Sequence, residues 1–259
     1  PGVYGTHAKA GVKARSIHNE MKLVAGVPIR RPPQFFDVLE SGEALSDVGT
    51  HVVDLIQWTA FPGESIDYSK SVKIEEARRW PTVLNKAQFR QVTGVGEFPS
   101  SLGQWVKNDA LEYYGNNHVR YTVKGLNIDI EIRWDWEGVG GTGDLYEASF
   151  QGTKSRIEIR QASEDKHRPE VYVVPDTREA RPDVFEALDK KIAELQAAWP
   201  GVAVERRGSD AHNVIPEKFR VGHEAHFAQG TNAFATYFAD PKKIPAWETP
   251  NMLLKYYIT

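Results

Sequence analysis

The chain has 259 residues, 41% hydrophobic and 26% charged, an ordinary balance for a soluble globular protein of one domain with enough apolar material for a core. Its formal net charge is −3, with acidic and basic residues interspersed, and Arg78-Arg79 and Arg206-Arg207 are isolated pairs, so it lacks the basic run of a nucleic-acid binder. Cysteine is absent, which excludes disulfides, thiolate metal sites and cysteine nucleophiles together without choosing a compartment. No segment approaches the roughly 18 consecutive apolar residues of a membrane helix. The first residue is Pro1 with no signal peptide before it, so the chain is expected to be a fragment or a processed product.

In chain order, residues 1–15 are Gly- and Lys-rich with weak periodicity and read as an arm or linker, leaving residues 16–259 as the domain. A strand is expected from Ser16 to Ala25. Val27-Pro28-Ile29-Arg30-Arg31-Pro32-Pro33 forbids regular helix and reads as a proline-stiffened crossing. A helix is predicted from Asp47 to Trp58, capped by Ser46, with Val48, Val52, Leu55 and Ile56 as its core stripe and Pro62-Gly63 just beyond its end. Asp47, His51, Asp54 and Trp58 form a second stripe, rotated about a third of a turn away. Lys70 to Ala77 alternates as a strand, and Lys86 to Val92 reads as a short helix. Strands follow at Leu111 to Tyr114, Val119 to Lys124 and Leu126 to Trp136. Gly115-Asn116-Asn117 and Lys124-Gly125 between them have hairpin chemistry. Leu145 to Phe150, Ser155 to Arg160 and Val171 to Val174 continue the series, and strands joined by such tight turns are antiparallel. Helices return at Pro182 to Ala198, Gly222 to Phe238 and Pro250 to Tyr257. A sheet with helices before and after it is an α+β layout.

Several motifs invite chemistry. Gly138-Val139-Gly140-Gly141-Thr142-Gly143 fits the dinucleotide fingerprint, with Glu158 twenty residues after its first glycine. Strand, not helix, follows it, so no helix N-terminus is available for a pyrophosphate and the segment reads as a glycine-rich loop. His223-Glu224-Ala225-His226 spaces its histidines at i and i+3 rather than the i and i+4 of zinc peptidases, and a third ligand is not evident. No metal is assigned, and His223 and His226 read as structural or as rim residues facing a substrate. There is no G-x-S-x-G elbow for a serine nucleophile, and no carboxylate pair stands out for a glycosidase. Asp47 and His51, at i and i+4, are helix-surface neighbours. A carboxylate there can select an imidazole tautomer and stabilise the imidazolium of a general base. Equally, Asp47 suits a helix N-terminus by charge alone, and His51 can be an ordinary surface histidine. Spacing leaves both open.

Asp47-Val48-Gly49-Thr50-His51-Val52-Val53-Asp54 resembles the D-x-G-x-H-x-x-D segment of the glucose–fructose oxidoreductase/inositol dehydrogenase (Gfo/Idh/MocA) family, in its branch with an oxidoreductase C-terminal domain. The likeness extends through Arg31-Pro32, Phe35-Phe36-Asp37-Val38, Arg79-Trp80, Gly152-Thr153-Lys154, Gly222 to Phe227, and Trp247 to Met252 with Lys255-Tyr256-Tyr257. The resemblance implies a C-terminal α+β domain built on a large, mostly antiparallel sheet with helices packed on one face, paired in the family with a Rossmann domain this chain lacks. It implies a sugar or polyol substrate, NAD or NADP bound mainly by that other domain, and a homo-oligomer formed through the sheet. His51 would be the proton acceptor and Asp47 its partner. The family's E-K-P lysine has no counterpart here, because Pro216-Glu217-Lys218-Phe219 lacks the proline and lies elsewhere. Arg30 and Arg31 are candidate substrate contacts or surface cations, and His223 and His226 are further candidates. Trp134, Trp136 and Tyr146 suit either sugar stacking or the core. Two other readings stand beside the dehydrogenase: an NAD-assisted glycosidase, and a non-catalytic binding or oligomerisation module.

Overall fold

A computed structural model describes residues 4–6, 8–24, 26–138, 143–161 and 165–259, and statements of absence below refer to these residues. Its β-branched and aromatic runs assemble into one ten-stranded sheet. The strands are β1 (Val12–Met21), β4 (Val72–Asn85), β5 (Val106–Lys107), β6 (Ala110–Val123), β7 (Leu126–Glu137), β8 (Leu145–Gln151), β9 (Ser155–Gln161), β10 (Glu170–Pro175), β11 (Ala203–Arg207) and β12 (Asp210–Val214). Two-residue strands β2 (Leu23–Val24) and β3 (Val27–Pro28) pair apart from it. The main order is β11-β12-β10-β9-β8-β1-β7-β6-β4, with β5 on β6. The sheet is antiparallel except that β1 runs parallel to β7. β1 is therefore wedged between β7 and β8, which follow each other in sequence.

β1 begins at Val12, inside the stretch read as an arm, and ends at Met21 rather than Ala25. Its even positions Val12, Ala14, Ser16 and Glu20 are buried and face the helices, which makes it a central strand. On the opposite face lie charges of both signs, with Arg15 3.4 Å from Glu131 and Arg133 3.0 Å from Asp135.

The helices are α1 (Val38–Ser41), α2 (Ala44–Asp47), α3 (Gly49–Ala60), α4 (Tyr68–Ser71), α5 (Lys86–Thr93), α6 (Arg181–Leu195), α7 (His223–Ala239) and α8 (Glu248–Ile258). α3 lays Val52, Val53 and Ile56 into the core, so its buried stripe takes in Val53 and leaves Leu55 40% exposed. Gly49 lets its first turn approach the sheet, since a β-carbon there would lie 2.7 Å from Ile132 Cδ1. α8 closes over α3, with Gln57 Nε2 donating to Asn251 O at 3.4 Å, and the Asn251 side chain holds the segment after α3: its Oδ1 accepts from Ile66 N at 3.1 Å and its Nδ2 donates to Glu64 O at 2.9 Å. Lys255 of α8 also pairs with Asp54 of α3 at 2.8 Å, so that aspartate joins two helices. α6 covers the far end of the same sheet face with Val184 against Val173 and Ala211.

The segment Gly115-Asn116-Asn117 is not a turn; it lies within β6. The register of β4 on β6 shifts between Trp80 and Thr82, where Pro81 can donate nothing to the ladder. Asn116 replaces the missing bonds, accepting from Trp134 N at 2.7 Å and donating to Thr82 Oγ1 at 2.8 Å. Asn117 accepts from Leu45 N at 2.9 Å and so anchors α2 to the sheet. Gly115 leaves room for the Tyr113 ring, which would lie 2.5 Å from a β-carbon there. β4 is likewise longer than the Lys70–Ala77 expectation, running to Asn85 along the sheet edge, and the β11–β12 hairpin was not foreseen.

Candidate active site

The helix-facing side of β1 turns polar at its C-terminal end. Ser16, His18 and Glu20 follow Val12 and Ala14 on one face, as the two-residue repeat of a strand requires. The register sets Ser16 opposite Tyr146 on β8 and His18 opposite Trp134 on β7. Above them passes the first half of α3. Val48, His51, Val52 and Leu55 on one wall, and Ser16, His18, Asp144, Leu145, Tyr146, Ile159 and Gln161 on the other, enclose a groove of ≈ 420 Å³.

Three hydrogen-bonded groups run along its floor. Ser16 Oγ lies 2.9 Å from His18 Nε2, and His18 Nδ1 lies 3.2 Å from Asp144 Oδ2. Lys22 Nζ donates to the same Asp144 oxygen at 2.6 Å, and the Asn19 backbone N–H reaches Oδ1 at 3.3 Å. Burial alone would raise the Asp144 carboxyl, but the hydrogen bonds and charges of His18 and Lys22 outweigh it and hold it at about 2. Burial pushes the Tyr146 hydroxyl up to about 12, and that oxygen has no hydrogen-bond partner.

Behind the groove sits a fully buried carboxylate, Glu20. Arg31 Nε is 3.0 Å from its Oε2, but the donor is better aimed at the Glu20 carbonyl, 3.3 Å away, and neither carboxylate oxygen accepts a hydrogen bond. Burial therefore dominates and lifts the Glu20 carboxyl to about 8, against the pull of Arg31 and Lys22 and with Asp47 adding to the rise. The Arg31 guanidinium sits in the corner of two rings packed edge to face, 4.3 Å from the Phe35 centroid and 4.6 Å from that of Trp134.

The other sequence candidates are placed unevenly. His51 reaches the groove and is exposed. Asp47 does not begin α3 but ends the short α2, with Val48 between the two helices in helical backbone. Ser46 does not cap α3, because the chain is already helical there and its hydroxyl donates to Glu43 O at 3.0 Å. Asp47 is exposed, and no hydrogen bond or ion pair joins its carboxylate to His51 among the described residues. Arg30 points away and donates to Gln91 O at 2.7 Å, so only Arg31 of the pair adjoins the site. His223 starts α7, and His226 in its first turn is exposed and absent from the groove lining. Trp134 is buried in the core against His18, whose ring centroid is 4.9 Å away, while Trp136 packs on the core edge.

Ser16, His18, Glu20 and Asp144 were not singled out from the sequence. The alternation Ser16, His18, Glu20 carries the signal, since three polar residues continue the buried side of one strand. Part of the Gly138–Gly143 loop lies outside the described residues; strand β8 follows it, and Glu158 pairs with Arg156 and Arg160 in β9. With no helix N-terminus after that loop, these residues do not fit a dinucleotide pyrophosphate.

An α+β domain with one helix-covered, mostly antiparallel sheet is thus joined to a groove of converging histidines. Residues 3–259 match the family model described as "Putative oxidoreductase C terminal domain", and the chain belongs to that family, of Gfo/Idh/MocA type. A solved structure of an oxidoreductase so described from Parabacteroides merdae ATCC 43184 is 37% identical with a TM-score of 0.93, covering 99% of this chain and 58% of that one. The chain therefore spans well under two thirds of that relative's length. One from Thermotoga maritima is 15% identical over 64% of this chain and 37% of that one, with a TM-score of 0.34. No curated protein matches the chain.

Proposed function

We propose that this chain is the substrate-holding part of an oxidoreductase that acts on a sugar or polyol, with NAD or NADP bound by residues other than those described. The groove carries the reading. Val48, Val52, Leu55 and Leu145 offer apolar walls to the C–H faces of a carbohydrate, and Ser16, His51 and Gln161 bring hydrogen-bonding groups to its hydroxyls. The nicotinamide nucleotide would supply the redox chemistry, and the residues of this chain hold the hydroxyl and handle its proton.

In this reading His51 accepts the proton of the reacting hydroxyl. Asp47, one turn earlier, acts on it through negative potential, since no hydrogen bond joins the two. In this reading Arg31 does not reach out to substrate as a free cation: its planar group lies in the corner of the Phe35 and Trp134 rings and beside Glu20. In the intact protein, His51→Ala is expected to lower kcat for polyol oxidation by about two to four orders of magnitude, followed as formation of reduced nucleotide. Wild-type turnover in that variant would remove His51 from the reaction.

A further inference from the structure

His18 is the better-prepared of the two groove histidines. Both its ring nitrogens are engaged, Nε2 with Ser16 Oγ at 2.9 Å and Nδ1 with Asp144 Oδ2 at 3.2 Å, whereas the His51 imidazole is exposed. Asp144 is pinned at both oxygens, by Lys22 Nζ at 2.6 Å and by Asn19 N at 3.3 Å, so it cannot swing away. A carboxylate acceptor at Nδ1 selects the tautomer with hydrogen on Nδ1 and leaves Nε2 free to accept from the Ser16 hydroxyl.

We propose that Ser16, His18 and Asp144 form a proton relay from the groove into the protein, in which the Ser16 hydroxyl takes up the proton that His51 removes from the bound ligand while passing its own to His18, all three side chains lining one groove. The balance is simple. The N–H bond of the His51 imidazolium breaks and a new O–H bond forms on Ser16 as the old Ser16 O–H gives way to N–H at His18 Nε2, which returns His51 to its neutral form. One proton is then stored as an imidazolium held against Asp144, and no bond to carbon changes.

Ser16 is unsuited to the alternative role of nucleophile. It lies mid-strand, paired with Ile132 on one side and Tyr146 on the other, and is 6% exposed. Its backbone N–H belongs to the ladder and cannot serve an oxyanion. The carboxylate that orients a groove histidine is thus contributed by the segment before β8, not by α2.

This inference rests on the oxidoreductase reading for its substrate class, and its test separates the two. The intact protein is assayed for polyol oxidation in mixtures of H2O and D2O. Wild type is expected to give a curved dependence of kcat on deuterium fraction, from two protons moving together. Ser16→Ala should make it linear and lower kcat about tenfold or more, with KM changed by no more than about twofold, and Ser16→Thr should restore both. A linear wild-type dependence, or Ser16→Ala with unchanged kcat, overturns the relay, and if His51→Ala still abolishes turnover the oxidoreductase reading survives it. Nitrogen-15 NMR of the His18 ring supplies a readout independent of turnover. The Nδ1–H form is expected to dominate in wild type and to lose its dominance in Asp144→Asn. Any other wild-type tautomer overturns the relay even if no polyol proves to be a substrate.

Discussion

Replacing Glu20 by Gln isolates the buried carboxylate behind the groove. Its carboxyl is lifted by burial from an ordinary 4.5 to about 8, with Arg31 and Lys22 opposing the rise and Asp47 adding to it. In the unfolded chain the group loses its proton near 4.5, whereas in the fold it keeps it to about 8. The native state therefore binds more protons across this window, and the contribution of Glu20 to stability is fully present below 4.5 and lost as the pH rises through 8. At about 1.4 kcal/mol per pH unit, the ceiling on that loss is about 5 kcal/mol. Gln carries no charge at any pH and keeps the shape, so Glu20→Gln should be close to neutral at pH 4.5 and more stable than wild type by several kcal/mol, up to about 5, at pH 9. Urea unfolding of both proteins from pH 4.5 to 9 measures the difference. Parallel curves across that range would mean that the Arg31 ion pair, not burial, governs Glu20, and would refute the reasoning.

Two further substitutions test what positions the groove. Asn251→Ala removes the acceptor of the buried Ile66 N–H and the donor to Glu64 O, and should cost about 2–3 kcal/mol in denaturant unfolding by loosening α8 from the segment that follows α3. Gly115→Ala drives a methyl to within 2.5 Å of a Tyr113 ring that is itself packed against Phe35 and Phe36, and should cost about 1–3 kcal/mol by the same measurement. An alanine with no loss at position 115 would show that the Tyr113 ring can shift.

The longer helices and most strands were legible because periodicity is a local signal, although α3 starts at Gly49 and not at Asp47. α5 runs Lys86–Thr93 and is closed by an Asn85–Gln88 capping box, within one residue of the expectation. β8, β9 and β10 likewise start within one residue of their alternating runs. The failures share a cause, since each depended on partners distant in sequence. Gly115-Asn116-Asn117 has the composition of a turn, but its asparagines serve a strand interior because Pro81 across the ladder leaves bonds to replace and α2 needs an anchor. β1 starts four residues before the expected Ser16 because Val12 to Arg15 gains its strand character from its neighbours β7 and β8.

The same distinction governs the site. Asp47 and His51 were noticed because they are four residues apart, and that spacing proved not to produce a hydrogen bond. Asp144 and His18 are separated by 126 positions and meet because β8 pairs antiparallel with β1, which carries Ser16 opposite Tyr146 and brings the residues just beyond that pairing together. Sheet register can place a carboxylate against a histidine with a fixed direction and without a flexible helix junction between them. Val48, the residue between α2 and α3, separates Asp47 from the helix that carries His51. A proton-handling histidine needs a constrained ring more than a nearby charge. By that criterion the proposed relay has its oriented imidazole on the strand, at His18, while His51 on α3 is the exposed one.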